Sequence, residues 1–542
     1  MVVAERAAEP VAREREQQRR WVVALGLLAA APVLLAAWES VRTTRVNVLL
    51  DYWHVLAKVT SDSGSLEFGP LWSYHLEQPF VLPSLLFYGD AAWFGGDNRV
   101  LTLLTVGLLV VALVGMRSML AVGGVARAVV VAVFAFLLCT PHLAELWVQA
   151  TNGISWVPAV VLSVLAVVAA HHGRVGFALA AAAVGVVSFG AAMPVWFAVA
   201  LVLWLRRERW WRVVVPAVVG VVVVVGWLAT RPPEAQSMAS SGFAPVARAK
   251  VVAAVLGSVW TSATPAVAVV VGAVVGAVLV GLGIAAARRR GSAETVADAG
   301  WVGLAAYAVA VAVLIGLGRT TPAAPGGNAG LISRYALAGV LATCALVALL
   351  VRRRPVSGRV AVPLAVALVA ITFVTGTAKA GAVRNSYAPL GVVPVALRME
   401  NTRALAALQV QPAVLPAAKA LGMYPFDGTH ALGCADLELG DRVDPARIRD
   451  LPRADGVVDA PALTEDTVVA GWADLAGRAG TCALVTTPDG LVVGGGITAL
   501  PRPDVPRTGG LAGFRVVVSP GASDVLVHLD GTFHRVLGRP DA

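Results

Sequence analysis

Charge is scarce in this chain. Asp, Glu, Lys and Arg together make up only 14% of 542 residues, while 58% are hydrophobic. Ordinary soluble domains carry about 25% charged residues, so a string of such domains is excluded. Also missing are a phosphate-cradling Gly-Lys-Ser/Thr loop, a His-Glu-x-x-His zinc helix and a Gly-x-Ser-x-Gly elbow, which leaves no support for nucleotide-driven chemistry, a zinc protease or a serine hydrolase. There is no internal repeat and no barrel-like alternation, so helices are the expected means of crossing a membrane. Cysteine is rare, with four in all. Cys139 and Cys344 fall inside apolar runs as buried bystanders, whereas Cys434 and Cys482 can pair if their region is extracytoplasmic.

What is abundant is apolar sequence. Mean hydropathy is +0.75, and runs rich in Ala, Val, Leu and Gly reach the roughly 20 residues that span a hydrocarbon core. The expected fold is mainly α: a polytopic membrane protein of about 11 spans, at 21–40, 100–116, 126–140, 154–170, 175–190, 193–206, 213–229, 266–287, 300–318, 335–351 and 360–378. The pair 175–190 and 193–206 has the shortest connector and can also be read as one broken helix. Residues 1–20 form a cytoplasmic tail, and Trp21 to Trp38 reads as a retained signal anchor.

The net charge of +10 would suit a nucleic-acid binder, but its placement excludes that partner. Arginines gather between apolar runs, at Arg19-Arg20, Arg117 with Arg127, Arg174, Arg206 to Arg212, Arg288 to Arg290 and Arg352 to Arg359. With the N-terminus cytoplasmic, all of these fall on one side, the positive-inside pattern. The large first loop 41–99, the loops 141–153, 230–265 and 319–334, and the region after 379 then lie outside. Phe80 to Phe94 and Val251 to Trp260 read as interfacial or half-crossing helices. Residues 380–542 read as a small extracytoplasmic α/β or β-rich domain. It has a helix-like stretch from Ala396 to Leu408, short β-type runs, an Asp530-Gly531 hairpin turn and Gly494 to Gly496 as a turn.

Candidate chemistry concentrates in the outer loops. Asp51 can act as a general base on an acceptor hydroxyl, with Tyr52, Trp53 and His54 beside it as stacking rings. The alternative is an interfacial helix with an aromatic belt. His75 and Glu77, two apart, share one side if the loop is extended, and with Asp51 can hold a divalent cation such as Mg or Mn, position a phosphate, or simply be solvated. His142 and Glu145 share a face if 141–149 is helical, joined by Trp147 and Gln149 as a second wall of a site; the alternative is a short helix with an interfacial Trp. Arg334, followed by Tyr335, is an arginine on the outer side, against the charge trend. A lipid-linked phosphate would account for it, as would lipid headgroup binding without catalysis, and Arg319 is a second candidate.

Asp51 in the first loop, His75-x-Glu77-Gln78 with the following Val81-Leu82-Pro83-Ser84-Leu85-Leu86-Phe87, and Ser333-Arg334-Tyr335 opening a late span together resemble the GT-C superfamily of membrane glycosyltransferases. The resemblance covers residues 20 to 380. It implies transfer of a sugar from a polyprenyl-phosphate donor to a cell-envelope glycan, lipid or protein acceptor on the outer face of a bacterial inner membrane. Asp51 or Glu77 would serve as base, Arg334 would stabilise the leaving phosphate, and His75 and Glu145 would orient donor or metal. The first loop has Leu50-Asp51-Tyr52 where many members carry two adjacent acids. The competing classes are a transporter or flippase for a lipid-linked substrate and a non-catalytic envelope scaffold.

Overall fold

The computed structural model describes residues 2–42, 50–232, 244–261, 264–319, 327–353, 358–432, 434, 436–460, 463, 468–505 and 509–538. The parts of the expected outer loops at 43–49, 233–243 and 320–326 lie outside the described residues. The chain forms two compact units. One comprises residues 1–42, 72–83 and 101–381, and the other 43–71, 84–100 and 382–542.

The helices in chain order are α1 (Val2–Arg42), α2 (Asp51–Val59), α3 (Phe68–Leu71), α4 (Val81–Phe94), α5 (Asn98–Ser118), α6 (Gly124–Leu138), α7 (Glu145–Val148), α8 (Ala150–His171), α9 (Val175–Ser188) and α10 (Val195–Leu205). They continue with α11 (Trp210–Thr230), α12 (Pro245–Gly257), α13 (Pro265–Arg288), α14 (Ala293–Gly318), α15 (Ala336–Arg353), α16 (Gly358–Tyr387), α17 (Val393–Arg398), α18 (Thr402–Ala407) and α19 (Leu415–Ala420). Among the described residues, nine helices are long and apolar enough to cross a membrane. α9 and α10 are shorter, with 14 and 11 residues, and meet through a 3-10 turn at Gly190–Ala192. At about 1.5 Å per residue they reach roughly 21 and 17 Å, less than a full hydrocarbon core. A mainly α, polytopic membrane protein is therefore the architecture.

The bundle packs on small residues, since apolar burial gives no driving force between helices in lipid. Ala253 and Gly257 on α12 face Ala268 and Gly272 on α13, each pair four residues apart. A Cβ on Gly272 would collide with the carbonyl oxygen of Ala253, and one on Gly257 with that of Ala268. Gly316, Gly330 and Gly339 likewise lie against the backbone of α12. This short helix is thus walled by protein, which is the condition for a chain end at membrane depth. At the arginine-rich end, Asp298 is buried between Arg352 (2.7 Å) and Arg353 (3.1 Å).

In the other unit, eight strands form a sheet in the order β1-β8-β7-β4-β5-β6-β3-β2: β1 (Ile448–Asp450), β2 (Gly456–Val458), β3 (Val468–Ala473), β4 (Cys482–Thr486), β5 (Val492–Leu500), β6 (Gly513–Val517), β7 (Asp524–Leu529) and β8 (Thr532–Val536). Among the described strand ladders β1 and β8 alone run parallel. An isolated bridge between Val458 and Gly538, parallel too, draws β2 toward the end of the chain, curling the sheet into a half-barrel. Asp530 (φ 48) and Gly531 (φ 82) make the tight β7–β8 turn, pairing Leu529 with Thr532, as the Asp-Gly signal implies. Gly494 to Gly496 do not form a turn. They lie inside β5, where side chains at Gly494 and Gly496 would strike the backbone of β6. The stretch 396–408 is two helices, α17 and α18, broken at Glu400 (φ 52), with the Asn401 side chain accepting from Ala404 N to cap the second.

Candidate functional site

In the membrane unit, the most densely bonded polar cluster lies where α7, α8 and α15 begin. Pro141 opens a 3-10 turn that carries His142 into α7, and Gln149 closes α7 and opens α8. Ser333–Tyr335 is a second 3-10 turn leading into α15. The Ser333 hydroxyl ties the two turns together, donating to His142 O (2.6 Å) and accepting from Glu145 N (3.3 Å). Glu145, 4% exposed, accepts from Arg334 Nη1 (2.5 Å) and Asn152 Nδ2 (2.9 Å) at Oε1, and from Arg334 N (3.0 Å) at Oε2. His142 Nε2 meets Thr375 Oγ1 at 2.9 Å. Lys379, also on α16, is near enough to act electrostatically on both Glu145 and His142.

An aromatic chain extends from this cluster to the first loop. The Arg334 guanidinium lies 5.2 Å from the Tyr335 ring. Tyr335 meets Trp156 at 5.3 Å, Trp156 meets Phe189 at 5.1 Å, Phe189 meets Phe80 at 6.1 Å, and Phe80 meets His75 at 4.9 Å. Such spacings are those of interacting rings. His75, Tyr335, Arg334, Glu145 and His142 thus belong to one continuous wall. His75 and Glu77 are not in an extended strand. His75 and Gln78 bond each other's backbone in a tight turn, with Leu76 at φ 54. Gln78 Oε1 accepts from Gly190 N (3.0 Å) and Glu77 O from Trp227 Nε1 (2.7 Å), while Tyr74 OH meets Thr230 Oγ1 (2.6 Å). These bonds seat residues 74–78 on the ends of α9 and α11.

Asp51, Tyr52, Trp53 and His54 belong to the other unit. Asp51 is the first residue of α2, where a carboxylate suits the positive end of the helix dipole. Tyr52 is fully buried and donates to Asp90 Oδ2 at 2.9 Å. Burial pushes the Asp90 carboxyl up to about 8, with the Tyr52 bond opposing and Asp97 adding to the rise. The same burial, with Asp90 beside it, drives the Tyr52 phenol well above its ordinary value. Both shifts favour the neutral forms of the two groups. His54 Nε2 meets Gln409 O at 3.2 Å, and Trp53 is buried. Trp53 and Tyr52 are thus packing rings here, as Trp147 is in the core of the membrane unit. Exposed rings of the first loop include Trp72 and Trp93, at 72% and 78%.

Arg319 caps the end of α14. Cys434 and Cys482 are joined by a disulfide, with Cα atoms 5.3 Å apart. Among the described residues, no group of three or more His, Cys, Asp or Glu side chains is placed to hold a metal ion, so a cation held by Asp51, His75 and Glu77 gains no geometric support.

Sequence reasoning missed Asn152, Trp156, Thr375 and Lys379. Lys379 had a legible signal, being a lone cation at the end of an apolar run. It also gave Gln149 too little weight. That side chain is 1% exposed, and neither of its amide atoms has a partner among the described residues. The chain matches no known protein family, no curated protein and no solved structure.

Proposed function

We propose that the protein is a membrane glycosyltransferase that moves a sugar from a polyprenyl-phosphate donor to a hydroxyl of an envelope glycan, lipid or protein. The observation that carries this reading is the Arg334–Glu145 pair, largely buried at 24% and 6% side-chain exposure, at the loop end of the bundle and backed by an aromatic wall. A guanidinium fixed in that way is a preorganised positive charge of the kind that stabilises a phosphate. Lys379 supplies a second positive charge, and the Gln149 amide, unpartnered among the described residues, supplies hydrogen bonds for a polar ligand.

In the reaction, a carboxylate takes the acceptor hydroxyl proton while that oxygen attacks the anomeric carbon. The bond from that carbon to the phosphate oxygen breaks, and its electron pair leaves on the phosphate, which Arg334 and Lys379 stabilise. Glu145 is committed to Arg334 and acts as a positioning residue. The base is Glu77, whose segment lies in the same unit as Arg334, while Asp51 stays a candidate from the sequence alone; the energy resides in the donor linkage, so no nucleotide is needed. The site would face outward from a bacterial inner membrane with the N-terminus cytoplasmic. An odd number of crossings, nine among the described residues or eleven if α9 and α10 each cross, is consistent with a C-terminal domain on the outside.

The test is transfer from a radiolabelled polyprenyl-phosphate sugar in proteoliposomes. Arg334→Gln should abolish transfer with folding retained, and Asp51→Asn or Glu77→Gln should reduce it at least about a hundredfold, the range of a lost general base. Full activity in both acid variants refutes the base assignment. Movement of lipid-linked sugar across the bilayer without transfer would identify a transporter.

A further inference from the structure

We propose a site for an anionic phospholipid on the flank of the membrane unit. It does not depend on the transferase reading, only on the bundle lying in a bilayer. A cavity of about 610 Å³ runs between α10, α11, α13 and α14, lined by apolar side chains from Gly283 and Val302 at one end to Met193, Trp227 and Leu314 at the other. From Val302 to Leu314 is twelve helical steps, about 18 Å at 1.5 Å per residue. One leaflet of hydrocarbon is about 15 Å deep, so the groove takes a single extended acyl chain with its head at the membrane surface. A polyprenyl chain of many isoprene units would overrun it.

The head end carries the matching charge. The Arg231 guanidinium lies 5.0 Å from the ring of Trp227, which lines the groove at that end. Its Nε is buried with no hydrogen-bond partner, and no acidic side chain pairs with it among the described residues. Trp227 is itself fixed by its bond to Glu77 O. A phosphate diester above the groove mouth would take the guanidinium N–H groups in charge-assisted bonds, while its chain covers the apolar walls. An uncharged or zwitterionic head would leave Arg231 without net compensation.

Native mass spectrometry of the full-length protein in detergent, titrated with phosphatidylglycerol or phosphatidylcholine, tests this. One phosphatidylglycerol should be retained per chain in preference to phosphatidylcholine. Arg231→Gln should weaken retention about fivefold, the effect of one cation near a membrane surface, and Arg231→Lys should keep most of it. Ala306→Trp, which fills the groove, should abolish retention even with Arg231 present. A photoactivatable phosphatidylglycerol should label peptides of α10, α11, α13 and α14. Equal retention of both lipids, no change in Arg231→Gln, or labelling spread evenly over the bundle would overturn the proposal. Displacement by equimolar polyprenyl phosphate would assign the groove to the isoprenoid and overturn it as well.

Discussion

Separating Glu145 from Arg334 tests the centre of the candidate site. Glu145→Ala leaves three donors without their acceptor: the Arg334 guanidinium, the Arg334 backbone N–H and the Asn152 amide. At about 1 kcal/mol for each unsatisfied donor, the loss is about 3 kcal/mol. Arg334→Ala leaves a buried carboxylate still holding two N–H groups and within reach of Lys379. That places its loss toward the lower end of the roughly 3–5 kcal/mol for breaking a buried pair. Glu145→Ala combined with Arg334→Ala removes both charges, so the second substitution adds little, and a coupling of about 2–3 kcal/mol is expected, well above the roughly 0.5 kcal/mol of independent sites. The assay is reversible unfolding in mixed micelles, with dodecyl sulfate titrated into maltoside and helical circular dichroism as readout. Additive losses would show that the two side chains do not act as a pair, and the phosphate-clamp argument would fall with them.

Removing the disulfide by Cys434→Ser and Cys482→Ser, which are 48 residues apart, should cost the C-terminal unit roughly 4 kcal/mol by loop closure, seen as a lower Tm without reductant and none of the wild type's sensitivity to it. Asp90 has its carboxyl raised by burial to about 8 from an ordinary value of 3.8, so the folded form binds the extra proton. Stability from this group is full below about pH 4 and is lost as pH rises through 8. Tm should therefore fall between pH 6 and 8.5, and Asp90→Asn should flatten that slope. A slope unchanged in Asp90→Asn would exclude Asp90 as its source. Gly257→Ala and Gly272→Ala should each destabilise the bundle by about 2 kcal/mol or more through backbone overlap. Gly276→Ala, where the new methyl would sit 3.3 Å from the flexible end of Leu256, should be mild. Equal effects at the three glycines in detergent unfolding would remove the close-approach explanation.

The membrane class and most helices were legible because apolar length is a local property. Each of the nine long helices can be read from a single window of sequence. The sheet was legible in pieces: strands and the Asp530-Gly531 turn follow from local pattern, whereas the order of eight strands, with β1 returning beside β8, depends on pairings across 85 residues (Ile448 with Phe533). The glycines of β5 misled because Gly is poor in isolated strands, and only the closeness of β6 accounts for them. The candidate site was half legible. Glu145 and Arg334 are conspicuous as ions at span ends, but their bond joins residues 189 apart, and no local pattern reports it. The first loop was read as one piece, although residues 72–83 belong to the membrane unit and the segments on either side to the other. That division follows from bonds such as Gln78 to Gly190 and Tyr424 N to Gly95 O, which are long-range in both cases.

Two buried ion clusters in the membrane unit look alike and call for different explanations. Asp298 sits between Arg352 and Arg353 at the arginine-rich end, and Arg352 also donates to Glu294 O, an arrangement that joins α14 to α15. Glu145 and Arg334 also join two elements, but a joint alone does not require charge, since a well-packed apolar pair of similar volume is often as stable or more so. What distinguishes the second cluster is the polar surplus around it: Lys379 as an additional cation, and Gln149, whose amide is buried with both polar atoms unpartnered among the described residues. An orphaned buried amide lowers stability by about 1–3 kcal/mol. A fold under selection for stability alone would have replaced it with Leu or Met. If binding a polar ligand is the reason it is kept, Gln149→Leu should raise the unfolding midpoint while weakening sugar transfer. A variant that is both more stable and fully active would show that the amide has no ligand to serve.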